Sequence, residues 1–216
     1  MNKEKIREKI IKSLKWRYAT KVFDSSKIVS EDDINTILES ARLSPSSIGI
    51  EMWKFIVVKN KELREKLREV SYNQPQITDA SYLIVIAQRT DAVENMTKER
   101  MERTAKILNA EEDSLVGLKT MLEGSITQKS SDGSLDSWIK SQTYIPLGIM
   151  LETAALLDID ACPMEGFLPE KVDEILGLKD KNLKSSTMLT VGYRGVDKMS
   201  EYPKVRREFD DAIEFI

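Results

Sequence analysis

The strongest limit on the possible folds comes from residues 136–157, which predict one long helix with apolar residues around most of its circumference. Its apolar positions are Ile139, Ile145, Leu147, Ile149, Met150, Leu151, Ala154 and Ala155. A helix of this kind needs apolar neighbours on several sides, because it has no broad polar face for water. We therefore predict that it is the central, buried helix of the fold.

Three short apolar stretches, residues 53–60, 81–88 and 186–193, predict β-strands. The remaining pattern predicts helices over 3–16, 30–42, 61–71, 91–129 and 169–177, with an interruption near Asn109. Together they predict an α+β or α/β fold in which a small sheet is covered by helices on both faces. No linker, repeat or low-complexity tract divides the chain, so we predict one domain over residues 1–216.

The composition excludes several kinds of catalytic chemistry. The 216 residues contain no histidine and a single cysteine. Catalytic triads and metal sites that need histidine are therefore excluded. If the protein is an enzyme, carboxylates, lysine or tyrosine must move protons, or a cofactor must carry the difficult step. The net charge of −3 gives no electrostatic reason to expect nucleic acid or a membrane as a partner.

The same features predict a cytoplasmic protein. Residues 1–16 are charged throughout, unlike a secretory signal, and no apolar run approaches membrane-spanning length. A lone cysteine fits a reducing compartment. We predict that Cys162 is a small buried residue rather than a redox thiol.

Two pairs of cations could each reach one anion. Arg17 and Lys21 are four residues apart near a helix end, and Lys204 and Arg206 are two apart, on the same side of an extended segment. Solvated surface charge is the commoner explanation for either pair alone. Serines at 46–47 and amides at 73 and 76 lie in loops before predicted strands, where they often satisfy loop backbone.

The segment CPMEGF, residues 162–167, has two interpretations. One is a tight turn after a helix. The other is a piece of backbone shaped to lie against something flat, because a glycine lets the main chain come close to a ligand.

Five segments together resemble the FMN-dependent nitroreductases. They are RYATKVFD from residue 17, SPSSIGIEMWKFIVV from residue 44, YNQPQITDASYLIVI from residue 72, ACPMEGF from residue 161 and YPKVRR from residue 202. They follow the family's order and extend over nearly the whole chain. The resemblance implies an α+β fold with a small mixed central sheet, a long buried helix and an intertwined homodimer. It also implies two FMN sites at the subunit interface, with no catalytic side chain because flavin N5 carries the chemistry.

The resemblance assigns the site residues by position. The FMN phosphate would be held by Arg17, Lys204 and Arg206, beside Tyr18 and Ala19, and the pyrimidine edge of the flavin would face Lys21, Asn73 and Gln76. One face of the ring would be covered by Pro163, Met164, Glu165 and Gly166. The second subunit would contribute Pro45, Ser46, Ser47 and Gly49, and the substrate would lie near Tyr72 and Ile48. NAD(P)H would be the electron donor. Nitroaromatics, quinones or similar acceptors would then take the electrons from the flavin, in a ping-pong mechanism.

Four positions depart from the family's usual pattern. Ala19 replaces a serine, Gly49 an asparagine, Glu51–Met52 a Gln-Pro pair, and Gln76 the lysine of enteric members. A neutral amide stabilises reduced, anionic flavin less than a cation does. We therefore hypothesise a lower flavin potential than in a lysine-bearing relative.

Two other functions stay open. The protein could store or sense flavin with little turnover, or it could be a helical interaction protein that binds no flavin. The five ordered segments argue against the second of these.

The tail, residues 209–216, is predicted to form an edge strand or an arm. Apolar residues in this tail and in 136–157 favour burial against a partner subunit, although packing within one chain would also explain them.

Overall fold

A four-stranded sheet organises the fold. Its strands are β1 (Trp53–Val58), β2 (Tyr82–Arg89), β3 (Asp160–Met164) and β4 (Leu183–Gly192). Their spatial order is β1-β2-β4-β3, and all three pairings are antiparallel. The computed structural model describes residues 2–91 and 93–216, except for the side chains of Val93 and Glu112.

Nine helices are described around this sheet. They are α1 (Lys3–Trp16), α2 (Glu31–Arg42), α3 (Lys61–Glu69), α4 (Gln76–Asp79), α5 (Val93–Leu108), α6 (Val116–Ser131), α7 (Leu135–Leu156), α8 (Pro169–Leu176) and α9 (Phe209–Ala212). None of those described combines the length and apolar character needed to cross a membrane.

Helices cover both faces of the sheet, as predicted. Alternate residues of β2 point to opposite faces. Ile84 joins one apolar cluster with residues of α2 and α7, whereas Leu83 joins another with residues of α3 and α8. Because both faces are buried, β2 reads as a continuous apolar run. The α+β prediction is thus confirmed.

The sheet differs from prediction in two respects. It is antiparallel rather than mixed, and in the described chain parallel pairing is limited to one bridge between Ala19 and Ala161, on the outer edge of β3. The strand β3 was not predicted; its last residues belong to the segment 162–167, for which a tight turn was one of two interpretations. It is short and contains Pro163, which a strand tolerates at a sheet edge because a ladder hydrogen bond is not required there.

The long helix α7 is central but not buried on all sides. Met150 and Ala154 are fully buried, whereas Tyr144 and Ile145 are exposed. The expectation of a buried helix is therefore wrong for this one face. Within one chain, nothing described covers it.

The tail forms an arm rather than an edge strand. Helix α9 is followed by extended residues, and Phe209, Ile213, Phe215 and Ile216 are all exposed. Packing within one chain therefore does not account for their apolar character. The predicted break near Asn109 is confirmed, since α5 ends at Leu108 and Asn109 has a φ of 49°.

Candidate active site

The chain after β3 presents backbone donors that the fold does not use. Glu165 and Gly166 follow the strand, and neither N–H donates a hydrogen bond among the described residues. The carbonyl of Gly166 accepts a bond of 2.7 Å from the side-chain amide of Gln74. A Cβ at Gly166 would lie 2.9 Å from that amide, so a larger residue there would force the Gln74 side chain to shift. The turn therefore holds two N–H groups free for a ligand.

An open apolar cleft of about 530 Å³ lies beside this turn. Its lining residues are Tyr144, Leu147, Gly148 and Leu151 of α7 and Pro163, Met164 and Glu165. The hydroxyl of Tyr144 donates a hydrogen bond to the Glu165 carboxylate. A mostly apolar cleft with a few polar groups at its rim suits a flat, conjugated ligand.

The segment after α1 runs along the outer edge of β3. Ala19 forms the bridge to Ala161, and the N–H of Thr20 donates to the Ala161 carbonyl at 3.4 Å. The ammonium nitrogen of Lys21 lies 3.9 Å from the sulfur of Cys162. The first and fourth of the resembling segments are thus neighbours in space.

Gln76 belongs to the same neighbourhood and has an unused acceptor. The residue is 4% exposed, and its Oε1 has no hydrogen-bond partner in the described structure. Burial raises the pKa of the Cys162 thiol, while Lys21, the Gln76 amide and Arg17 partly oppose this rise. The thiol is therefore neutral at physiological pH, and the prediction of a buried cysteine is confirmed.

Three cations converge without a described carboxylate partner. Burial and the positive charge of Arg206 lower the pKa of Arg17. Burial, together with Arg17, Arg206 and Arg194, lowers the pKa of Lys204. Lys204 and Arg206 donate to backbone carbonyls instead, those of Lys15 and Val205. Like charges held together in this way favour an anionic ligand.

A single carboxylate fixes the segment that carries Arg17 and Lys21. One oxygen of Asp197 accepts hydrogen bonds from the Tyr18 hydroxyl at 2.8 Å, the Lys21 N–H at 2.8 Å and the Val22 N–H at 3.2 Å. Burial alone would raise the pKa of Asp197, but these bonds and one from Met199 lower it. Burial and the bond to Asp197 raise the pKa of Tyr18 to about 12. Asp197 is therefore a charged anchor and Tyr18 a neutral donor at neutral pH.

Arg194 supports the same segment from the other side. Its guanidinium lies 4.2 Å from the ring centroid of Trp16 and 4.8 Å from that of Tyr18. It also pairs with the buried carboxylate of Asp160 at 2.6 Å. Because Asp160 neutralises it, Arg194 acts as a support rather than as a free cation for a ligand.

Tyr72 and Asn73 lie in a turn near Gly166. Both have positive φ, 53° and 54°, and both are exposed. The ring of Tyr72 lies 3.7 Å from where a Cβ of Gly166 would be. The Asn73 side chain makes no described hydrogen bond, so it is available to a ligand.

The loop with Pro45, Ser46, Ser47, Ile48 and Gly49 lies elsewhere. The Ser47 N–H donates to the Oε1 of Gln142 at 2.8 Å. Gln142 and Tyr144 are two residues apart on α7, so their side chains point to nearly opposite sides of a helix about 10 Å across. The structure thus connects Lys21 and Gln76 with Cys162 next to the turn, and Arg206 and Lys204 with Arg17, but places this loop across α7 from Glu165.

Comparison with known proteins identifies the family of this chain. The pattern of the family described as the nitroreductase family matches residues 14–193. A Staphylococcus saprophyticus protein provisionally named an NAD(P)H nitroreductase is 37% identical over 98% of both chains. A Bacillus subtilis protein, YfkO, with the same provisional name is 36% identical over 98% of this chain and 99% of its own.

The chain belongs to the nitroreductase family.

Solved structures show the same fold in this family. A nitroreductase-like structure from Bacillus subtilis, ydfN, superposes with a TM-score of 0.82 at 19% identity, covering 97% of this chain and 100% of its own. A structure from Exiguobacterium sibiricum, solved in complex with FMN, has a TM-score of 0.79 at 20% identity, with coverages of 96% and 97%. The resemblance seen in the sequence is confirmed, and this nitroreductase-family protein is an oxidoreductase.

Several supporting residues of this nitroreductase-family protein have no signal in the sequence. Asp197, Arg194, Gln74 and Gln142 were not among the expected site residues. Asp197 and Tyr18 are 179 positions apart, and Gln142 and Ser47 are 95 apart. An isolated Asp or Gln in an ordinary helix or loop resembles any surface residue, so only the fold reveals these contacts.

Proposed function

We propose that this protein is an FMN-dependent NAD(P)H oxidoreductase that reduces nitroaromatics, quinones or similar acceptors. The observation that carries the proposal is the pair of unused N–H groups at Glu165 and Gly166, beside the apolar cleft. Fixed backbone donors beside an apolar cleft stabilise charge on a ligand without having to reorganise.

The residues present fit FMN. Arg17, Lys204 and Arg206 offer positive charge for a phosphate dianion. The unpartnered, buried Oε1 of Gln76 can accept from an N–H of a ring, and Lys21 lies beside it. The relative solved in complex with FMN supports this choice of cofactor.

Bound FMN would supply the hydride chemistry, and the side chains would only bind and tune it. Lys21 would favour negative charge at the ring edge, and the N–H groups of Glu165 and Gly166 would approach the reactive nitrogen. No side chain needs to act as an acid or base, which fits a chain without histidine. Donor and acceptor would use the same open ring face in turn.

We also propose that the working form is a homodimer. Pro45, Ser46, Ser47 and Gly49 lie across α7 from the cleft, so a second chain would have to supply them to it. The exposed face of α7 and the exposed apolar arm favour burial against a partner.

The function is tested by the visible spectrum of the purified protein, followed without oxygen after NADH and then NADPH are added. We expect a flavin spectrum that bleaches within seconds with at least one donor. A flavin spectrum that persists would indicate storage or sensing. A colourless protein that takes up no added FMN would contradict the proposal.

Changing Gln76 to lysine should raise the midpoint potential of the bound flavin. The new cation would lie near Lys21 and Cys162 and would stabilise reduced, anionic flavin. Extra stabilisation of the reduced flavin by about 1.4 kcal/mol, the equivalent of one pKa unit, would raise its two-electron midpoint potential by roughly 30 mV. Dye-equilibrated titration measures the potential, with Gln128→Lys, at an exposed glutamine of α6 outside the cleft, as the control. An unchanged potential would contradict the hypothesis.

A further inference from the structure

The loop before β1 has an unusual density of strained backbone. Ile48, Gly49 and Glu51 have φ values of 53°, 67° and 56°. A β-branched residue such as Ile48 rarely adopts a positive φ. Conformations of this kind persist only where the surroundings hold them, and they concentrate at functional sites.

Two helices hold this loop at three points. Gln142 of α7 accepts from the Ser47 N–H at 2.8 Å. Arg103 of α5 pairs with the Glu51 carboxylate at 2.9 Å. The third point is Arg100 of α5, whose guanidinium packs directly against Gly49.

A side chain at residue 49 would meet the guanidinium of Arg100 and would have to displace it. A Cβ there would lie 2.9 Å from a terminal nitrogen of Arg100 and 3.6 Å from its Nε. The first distance is too short, whereas the second is an ordinary van der Waals contact. Most larger residues at position 49 would therefore be strained by its φ and would have to displace the arginine.

Arg100 has no described ion pair that would explain its position. Its Nε is buried and lacks a hydrogen-bond partner, which is costly for a charged group. Met96 and Arg103 lie on the same face of α5, at helical spacing, and Met96 packs with Ile50 and Met52. Hydrophobic packing and the Arg103 pair would keep α5 in place without Arg100.

We propose that Arg100 is a positioning residue for the flavin site, and that its guanidinium holds the strained Ser46–Glu51 loop in the shape that completes the pocket. The proposal rests on the proposed function, in which this loop serves the FMN site of the second subunit. It makes the charged helix α5 part of the cofactor site, although the helix itself lies outside the cleft.

A double-mutant cycle tests the proposal through FMN affinity. Arg100→Gln removes the guanidinium, because glutamine reaches only as far as Nε. Gly49→Asn tolerates a positive φ but displaces the guanidinium. We expect each single variant to weaken FMN binding roughly tenfold. The double variant should also lose about tenfold rather than a hundredfold, because both changes break the same contact.

Two further measurements separate positioning from general stability. The visible circular dichroism of bound FMN should change in both single variants, because the pocket changes shape. The melting temperature of the FMN-free protein should stay near that of Lys106→Gln, which removes an exposed charge from the same helix. If Arg100→Gln lowers the melting temperature of the FMN-free protein as well as the FMN affinity, Arg100 is only structural.

The outcomes also separate this proposal from the proposed function. Wild-type affinity in Arg100→Gln and Gly49→Asn, or a hundredfold loss in the double variant, would overturn the role of Arg100 alone. A wild-type protein that binds no FMN would overturn both proposals.

Discussion

Replacing Arg206 by alanine should weaken FMN binding by about ten- to a hundredfold without destabilising the FMN-free protein. A charge-assisted hydrogen bond to a phosphate contributes about 1.5–3 kcal/mol. Arg206 is exposed and pairs with no described carboxylate, so its removal takes nothing from the core. It also relieves the repulsion that lowers the pKa of Arg17 and Lys204. The free energy of unfolding of the FMN-free protein should therefore be unchanged or slightly higher.

The matched control is Arg207→Ala. Arg207 is the next residue, is equally exposed and bonds only to the Asp211 carbonyl at 3.5 Å. Fluorescence quenching of FMN gives the dissociation constants, and calorimetry of FMN-free and FMN-bound protein gives the stabilities. If Arg206→Ala keeps wild-type FMN affinity, or if Arg207→Ala loses as much, the phosphate assignment is wrong.

Mixed dimers of two FMN-deficient variants should recover about half of the FMN sites. One subunit carries Arg206→Ala and the other Gly49→Val, a β-branched residue at a φ of 67°. If the loop serves the other subunit, one of the two sites receives both intact parts. Differently tagged subunits, co-expressed and purified through both tags, should bind about one FMN tightly per dimer.

The reciprocal pairing gives the opposite result. A wild-type subunit paired with one that carries both changes should bind no FMN tightly, because each site then has one defective part. Binding in this pair and none in the first would mean that each chain supplies its own loop. Monomers in both preparations would contradict the homodimer itself.

Much of the fold follows from local patterns in the sequence. The strands β1, β2 and β4 and the long helix α7 are visible because each one is a long stretch rich in apolar residues. Strand β3 is too short to be recognised in this way, and Pro163 argues against predicting a strand there. The edge position that tolerates this proline is a property of the sheet, which the sequence does not display.

The candidate site likewise contains residues that the sequence indicates and residues that only the fold reveals. Residues that a ligand would touch lie in short segments with a distinctive order, so Arg17, Lys21 and Gly166 could be proposed from the sequence. Residues that hold those segments in place were not, because each contact joins distant parts of the chain. Asp197 and Arg100 are examples, since their effects depend on the particular backbone atoms they meet.

The division of the candidate pocket by α7 has a thermodynamic consequence. Tyr144 meets the turn of one site, while Gln142, on the opposite side of the helix, meets the loop that would serve the other. Cofactor binding and subunit association would then be linked equilibria, since only the assembled form offers a complete pocket. Added FMN would favour assembly, and the apparent FMN affinity would fall as the protein is diluted. Dilution alone could therefore release the cofactor.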